Sequence, residues 1–155
     1  NNDLQQTNPK GVYVTSIVGS YNSKTDIIEL SNAGHLPALF KKGREFIEYD
    51  SSSMPLGVKK ADNNKEYKLE TIKLGDGRLY CFTDGFSECR NEKGDEIGID
   101  GVKNLIINYQ NTSLKKELSK IIKDIESKST KGKNFDNVNS DNILEDDLTI
   151  IGLGK

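Results

Sequence analysis

Short apolar segments separated by turn residues fill the first half of the chain, and a helical period takes over in the second. Val12-Tyr13-Val14-Thr15-Ser16-Ile17-Val18-Gly19 is β-branched and predicts a strand. Tyr21-Asn22-Ser23-Lys24-Thr25 supplies turn residues, and Asp26-Ile27-Ile28-Glu29-Leu30 follows as a second strand, so the pair predicts an antiparallel hairpin. Pro37-Ala38-Leu39-Phe40 and Glu45-Phe46-Ile47-Glu48-Tyr49, on either side of Lys41-Lys42-Gly43-Arg44, predict another. Ser51-Ser52-Ser53-Met54-Pro55-Leu56-Gly57 reads as a loop. Glu66-Tyr67-Lys68-Leu69-Glu70-Thr71-Ile72 alternates as a strand does, and Gly75-Asp76-Gly77 turns it into Arg78-Leu79-Tyr80-Cys81-Phe82-Thr83. That apolar and aromatic run predicts a short buried strand. To this point the expectation is an antiparallel β meander.

The spacing then becomes helical. Val102, Leu105, Ile106 and Tyr109 line one face over 101–109. Thr112 or Ser113 can cap a second helix whose stripe is Leu114, Leu118, Ile121, Ile122 and Ile125. Its other face carries Lys115, Lys116, Lys120 and Lys123, which reads as a solvated face or as a docking surface for an acidic partner. Residues 131–145 form a polar stretch rich in Asn and Asp, and Leu148-Thr149-Ile150-Ile151-Gly152-Leu153 predicts a final strand. Strands first, helices next and one strand last predict an α+β layer structure in which the last strand rejoins the sheet.

At 155 residues this is one domain or part of one. The balance of 22 basic against 24 acidic residues gives no electrostatic case for nucleic acid or an anionic membrane. No apolar run reaches membrane-spanning length and no signal-peptide pattern opens the chain, so no membrane segment is expected and the expected location is cytoplasmic. Cys81 and Cys89, with the single His35, cannot make a four-ligand zinc site of the usual type, and reduced thiols are expected.

The chemistry-bearing stretch is where the buried strand runs into Asp84-Gly85, with Glu88 following. A carboxylate at the exit of a buried strand is rigidly held while its oxygens reach the sheet's end, which suits a hard cation such as Mg²⁺ or Mn²⁺. Asp-Gly is also a common turn dipeptide, and that reading stands beside the first. Glu145-Asp146-Asp147 places a second carboxylate cluster just before the last strand. If that strand lies antiparallel beside the Asp84 strand, Asp84 and Asp146 converge at one end. An EF-hand starting at Asp136 or Asn137 fails, because the Gly at its sixth position and the Glu at its twelfth are missing.

In order, the chain contains Asn32-Ala33-Gly34-His35-Leu36-Pro37, Pro55-Leu56-Gly57, Leu74-Gly75-Asp76, Phe82-Thr83-Asp84-Gly85-Phe86-Ser87-Glu88 and Asp146-Asp147-Leu148-Thr149. This set resembles the metal-dependent protein serine/threonine phosphatases related to protein phosphatase 2C, in their bacterial SpoIIE and RsbU-like sigma-factor-regulator branch, over nearly all of 11–153. The resemblance implies a β-sandwich flanked by helices with a two-metal site of Mn²⁺ or Mg²⁺. It implies that Asp84 and Asp146 are metal ligands and that no other side chain is catalytic. Asp147 becomes a weaker candidate, while Asn32, Gly34, His35, Gly85 and Glu88 become site-adjacent or supporting residues. It further implies hydrolysis of a phosphoserine or phosphothreonine by a metal-activated water, on a phosphorylated protein of the anti-sigma-factor-antagonist type.

One departure qualifies this. The family's Asp-x-x-Gly-His-Gly-type motif, whose Asp bridges the metals, is absent. Two ions about 3.5–4 Å apart need bridging carboxylates. The expectation is therefore that 1–155 is the C-terminal portion of a single SpoIIE-type phosphatase domain, inactive by itself and prone to self-association through uncovered sheet edge. The alternative is a non-catalytic, phosphatase-like interaction module in bacterial signalling.

Overall fold

A computed structural model describes residues 1–7, 9, 11–59, 67–91, 93–110, 112–131 and 147–155. The chain divides into two compact units, 1–81 with Gly154, and 82–153 with Lys155.

In the first unit, Asn2–Thr7 forms helix α1, a turn of structure that the polar opening of the chain does not signal. The expected hairpin is present as β1 (Ser16–Asn22) and β2 (Ile27–Ala33), paired antiparallel from Ser16↔Ala33 to Asn22↔Ile27. Along β2, buried Ile28 and Leu30 flank exposed Glu29, the period-two pattern of a strand with one covered face. The strand begins later than its β-branched run predicts. Val14 belongs elsewhere: its N–H donates to Leu56 O at 2.9 Å, and Leu56 N–H donates back to Val14 O at 2.7 Å. That exchange diverts the first half of the run onto the 53–57 loop and leaves β1 to start at Ser16.

The meander expectation is corrected by the pairing. β5 (Glu70–Lys73) joins the far side of β2, giving a three-stranded sheet of order β1-β2-β5. β3 (Ala38–Lys42) pairs with β4 (Glu45–Tyr49) around Gly43 and Arg44, and also with β6 (Arg78–Phe82). Because β3 is flanked on both sides, Ala38, Leu39, Phe40 and Lys41 are all buried. With β7 (Ile150–Gly154) the second sheet has the order β4-β3-β6-β7, so the last strand neighbours the strand that leads to Asp84. Local alternation cannot distinguish these two sheets from one continuous meander, since each hairpin looks the same in either. Glu66, expected at the head of β5, lies outside the described residues.

The second unit carries the helices: α2 (Asp84–Ser87), α3 (Gly98–Tyr109) and α4 (Leu114–Lys131). Val102, Leu105 and Ile106 of α3 are buried, as are Ile121 and Ile125 of α4, so the apolar stripes face inward as their spacing requires. α2 packs on α3, and α3 on α4. No described helix is long and apolar enough to cross a membrane. The polar stretch expected over 131–145 ends up divided: Lys131 closes α4, and 132–145 lie outside the described residues.

Candidate functional site

Asp84 is presented by a strand-to-helix junction. β6 delivers the chain to Thr83, which remains extended (φ −80°, ψ 161°), and α2 starts at the next residue. Phe86 anchors this four-residue helix. It is fully buried and meets Phe82 edge to face, with ring centroids 6.3 Å apart. With the aromatic face turned inward, Asp84 is left exposed in the first turn, so Asp-Gly here opens a helix and is not a free-standing turn. The Gly85 N–H donates to Asp84 Oδ1 at 3.1 Å, and an acidic group in this position also complements the helix N-terminus.

Thr83, which sequence reasoning passed over, organises the junction. Its hydroxyl donates to Asp147 O at 2.8 Å and accepts from Thr149 N–H at 3.0 Å, while its own N–H donates to Thr149 O at 3.0 Å. Three hydrogen bonds thus clip the Asp84 turn to the segment that enters β7, in the place where ladder pairing gives way. A threonine between a buried strand and an acidic residue is the sequence signal that was available.

Gly85 completes the clip by permitting close approach. A Cβ there would stand 2.8 Å from Asp147 O and 3.3 Å from Leu148 Cδ2. Gly85→Ala is therefore expected to push the 147–149 segment away from Asp84 and destabilise the unit by about 1–3 kcal/mol. A urea titration compared with wild type checks this, and an unchanged midpoint would count against the close approach.

Glu88 closes α2 through its backbone, its N–H donating to Asp84 O at 2.9 Å, and it is exposed. Asp147 is brought to the junction through its carbonyl oxygen. Asp146 lies outside the described residues. Among the described residues, no three His, Cys, Asp or Glu side chains group closely enough to hold a metal ion. Asp84, an exposed carboxylate whose only described hydrogen bond is from Gly85, fits one position in the shell of a hard cation.

Asn32, Gly34 and His35 are brought together in the first unit as a tightly bonded turn. Asn32 is buried, and its side chain works entirely on the backbone: Nδ2 donates to Leu36 O (3.0 Å) and Tyr49 O (3.4 Å), and Oδ1 accepts from His35 N–H (2.9 Å). Gly34 adopts φ +71° and donates its N–H to Ser51 Oγ at 2.6 Å. The His35 ring has Nδ1 3.2 Å from Thr15 Oγ1. Ser51 and Pro55 hold this turn from the facing loop; Pro55 belongs to the Pro55-Leu56-Gly57 motif, while Ser51 was given no role by the sequence pattern.

Burial pushes the thiols of Cys81 and Cys89 upward from their ordinary value, which keeps both protonated at neutral pH. Cys89 Sγ donates to Gly85 O at 2.9 Å. A protonated, hydrogen-bonded thiol is a poor nucleophile, which argues against Cys89 as an attacking group.

The family model for stage II sporulation protein E matches residues 1–154. The chain belongs to the SpoIIE family. Solved structures similar to it include the SiaA PP2C domain of Pseudomonas aeruginosa, at TM-score 0.70 and 14% identity, covering 91% of this chain and 51% of that one. The SpoIIE phosphatase domain of Bacillus subtilis follows at TM-score 0.66 and 14% identity, with 99% and 62% covered. The RsbU and RsbW domains of Rv1364c from Mycobacterium tuberculosis match at TM-score 0.66 and 16% identity, with 97% and 38% covered. The SpoIIE-family chain thus has the α+β fold of PP2C-type phosphatase domains and spans about half to two-thirds of the first two of these chains. No curated protein sequence matches it.

Proposed function

We propose that this chain supplies part of the centre of a metal-dependent protein serine/threonine phosphatase acting on a phosphorylated regulatory protein of the anti-sigma-factor-antagonist type, in the cytoplasm. The observation that carries the reading is the Thr83 clip, which joins the Asp84 turn to the strand entry directly after Asp146. Family membership and fold support it. Asp84 and Asp146 are the residues that would hold Mn²⁺ or Mg²⁺. When bound, two such ions supply an activated water and neutralise charge on the phosphoryl group. Thr83 and Gly85 fix the direction of the Asp84 carboxylate, and Glu88 and Asp147 support the same junction. The Asn32-Gly34-His35 turn is assigned a supporting role, its amide being committed to backbone groups.

The test is phosphate release from a phosphoserine protein and from p-nitrophenyl phosphate by the full protein that carries this chain, with and without Mn²⁺. Metal-dependent turnover is expected there and none from the 155-residue chain alone, since two ions need bridging carboxylates and, among the described residues, no three His, Cys, Asp or Glu side chains group closely enough to hold a metal ion. A full protein that binds partners yet releases no phosphate would favour the interaction-module reading.

Self-association of the isolated chain belongs to the same proposal. β1 is an edge strand, its seven residues carry neither charge nor proline, and Val18 is 67% exposed. Those are the features that invite pairing with another strand. Light scattering is expected to show species larger than a monomer, and Val18→Lys should shift them towards monomer. A wild-type chain that stays monomeric at high concentration defeats this part.

A further inference from the structure

The inward side of α4 is packed against its own unit. Ile121 and Ile125 are buried, and so is Glu117 in the same stripe. The outward side is basic: Lys116, Lys120 and Lys123 repeat at helical spacing along one face, Lys115 flanks them, and all are exposed. Some bases elsewhere find acids, as half-buried Lys103 does with Asp100, and exposed Lys68 and Arg90 do with Glu70 and Glu96. Among the described residues, no carboxylate pairs with the four lysines of α4. Lys120 instead sits over the Tyr109 ring, 5.9 Å from its centroid, which holds its charge in place.

We infer that this face of α4 docks an acidic segment of the phosphoprotein substrate, an inference that rests on the phosphatase reading above. Charge complementarity selects the partner. Ile121 and Ile125, at the centre of α4's apolar stripe, are buried in its own unit and not free to enter a lipid surface, and a chain of net charge −2 with one short basic face offers no track for a nucleic acid. An acidic protein segment matches both the sign and the short span of the face. The placement suits a substrate-docking role, because α4 packs on α3, α3 packs on α2, and α2 begins at Asp84 in the same unit.

The experiment uses the full protein and two labelled phosphoserine peptides, identical except that one is flanked by glutamates and the other by glutamines. Binding is read by fluorescence anisotropy in EDTA, so that no turnover is required. The glutamate peptide is expected to bind at least about tenfold more tightly, with an advantage that shrinks as salt is raised. Lys116→Glu/Lys120→Glu/Lys123→Glu should abolish that advantage, whereas Lys24→Glu/Lys42→Glu/Lys93→Glu, reversed at exposed sites elsewhere, should retain it. Hydrolysis of p-nitrophenyl phosphate with Mn²⁺ should be the same for wild type and both variants. Equal binding of the two peptides by wild type, or equal loss in both variants, overturns the docking surface. Charge-dependent binding lost only in the α4 variant, with no phosphate released by any of the three proteins, overturns the phosphatase reading and leaves the acidic-segment surface standing.

Discussion

Asp84→Asn in the full protein should lower Mn²⁺-dependent phosphate release by at least about a hundredfold, with a parallel loss of metal affinity. The substitution preserves the shape of the side chain and an oxygen able to accept from Gly85 N–H, so the junction that presents it should survive. What it removes is the negative charge that a divalent ion requires. The cost to folding is limited to the loss of an acidic residue at the start of a helix, about 0.3–1 kcal/mol. Calorimetric titration with Mn²⁺, phosphate release and thermal melting, read on the same samples, separate these effects. Glu88→Gln is the internal control, since the described contact of Glu88 with Asp84 is made by its backbone and should not depend on its charge. Wild-type turnover by Asp84→Asn at limiting Mn²⁺ would remove the metal reading altogether.

Gly34→Ala should be among the most destabilising small substitutions in the first unit. A Cβ at Gly34 would stand 2.4 Å from Pro55 Cγ and 2.7 Å from its Cδ, and a proline ring has no rotamer by which to move aside. The backbone is in the left-handed region at φ +71°, which adds about 1–2 kcal/mol for any residue with a Cβ. Together with overpacking, the expected loss is about 3 kcal/mol. Gly43 provides the comparison: its φ is +62°, but nothing lies within 4 Å of the added carbon, so Gly43→Ala should show the backbone cost alone. Denaturant midpoints for the two variants decide the matter. Equal losses would mean that the Pro55 contact yields easily.

Most strands and both long helices were legible because each is announced by its own period: Ile28 and Leu30 around Glu29, Ile121 and Ile125 four residues apart. Sheet membership was not legible, because a hairpin's alternation is the same whether its outer strand meets β5 or β6. The division of the Val12–Gly19 run was equally hidden, since nothing in a β-branched segment says that Val14 will exchange hydrogen bonds with Leu56. At the site, the motif order pointed to Asp84 and to the Asn32 turn and contained Thr83, yet gave it no role, because that role depends on a hydroxyl reaching across 64 residues of sequence. Ser51 was hidden for the same reason, 17 residues from the Gly34 amide it receives.

The thiol of Cys89 ties the far end of α2 to the Gly85 carbonyl, and burial keeps it protonated. Alkylating and oxidising reagents act on the thiolate, so the raised thiol pKa slows them at the native turn. Modification at the half-buried Cys89 should therefore run faster once that hydrogen bond breaks. The rate at which Cys89 is modified is in this sense a chemical reporter on the integrity of the turn that carries Asp84.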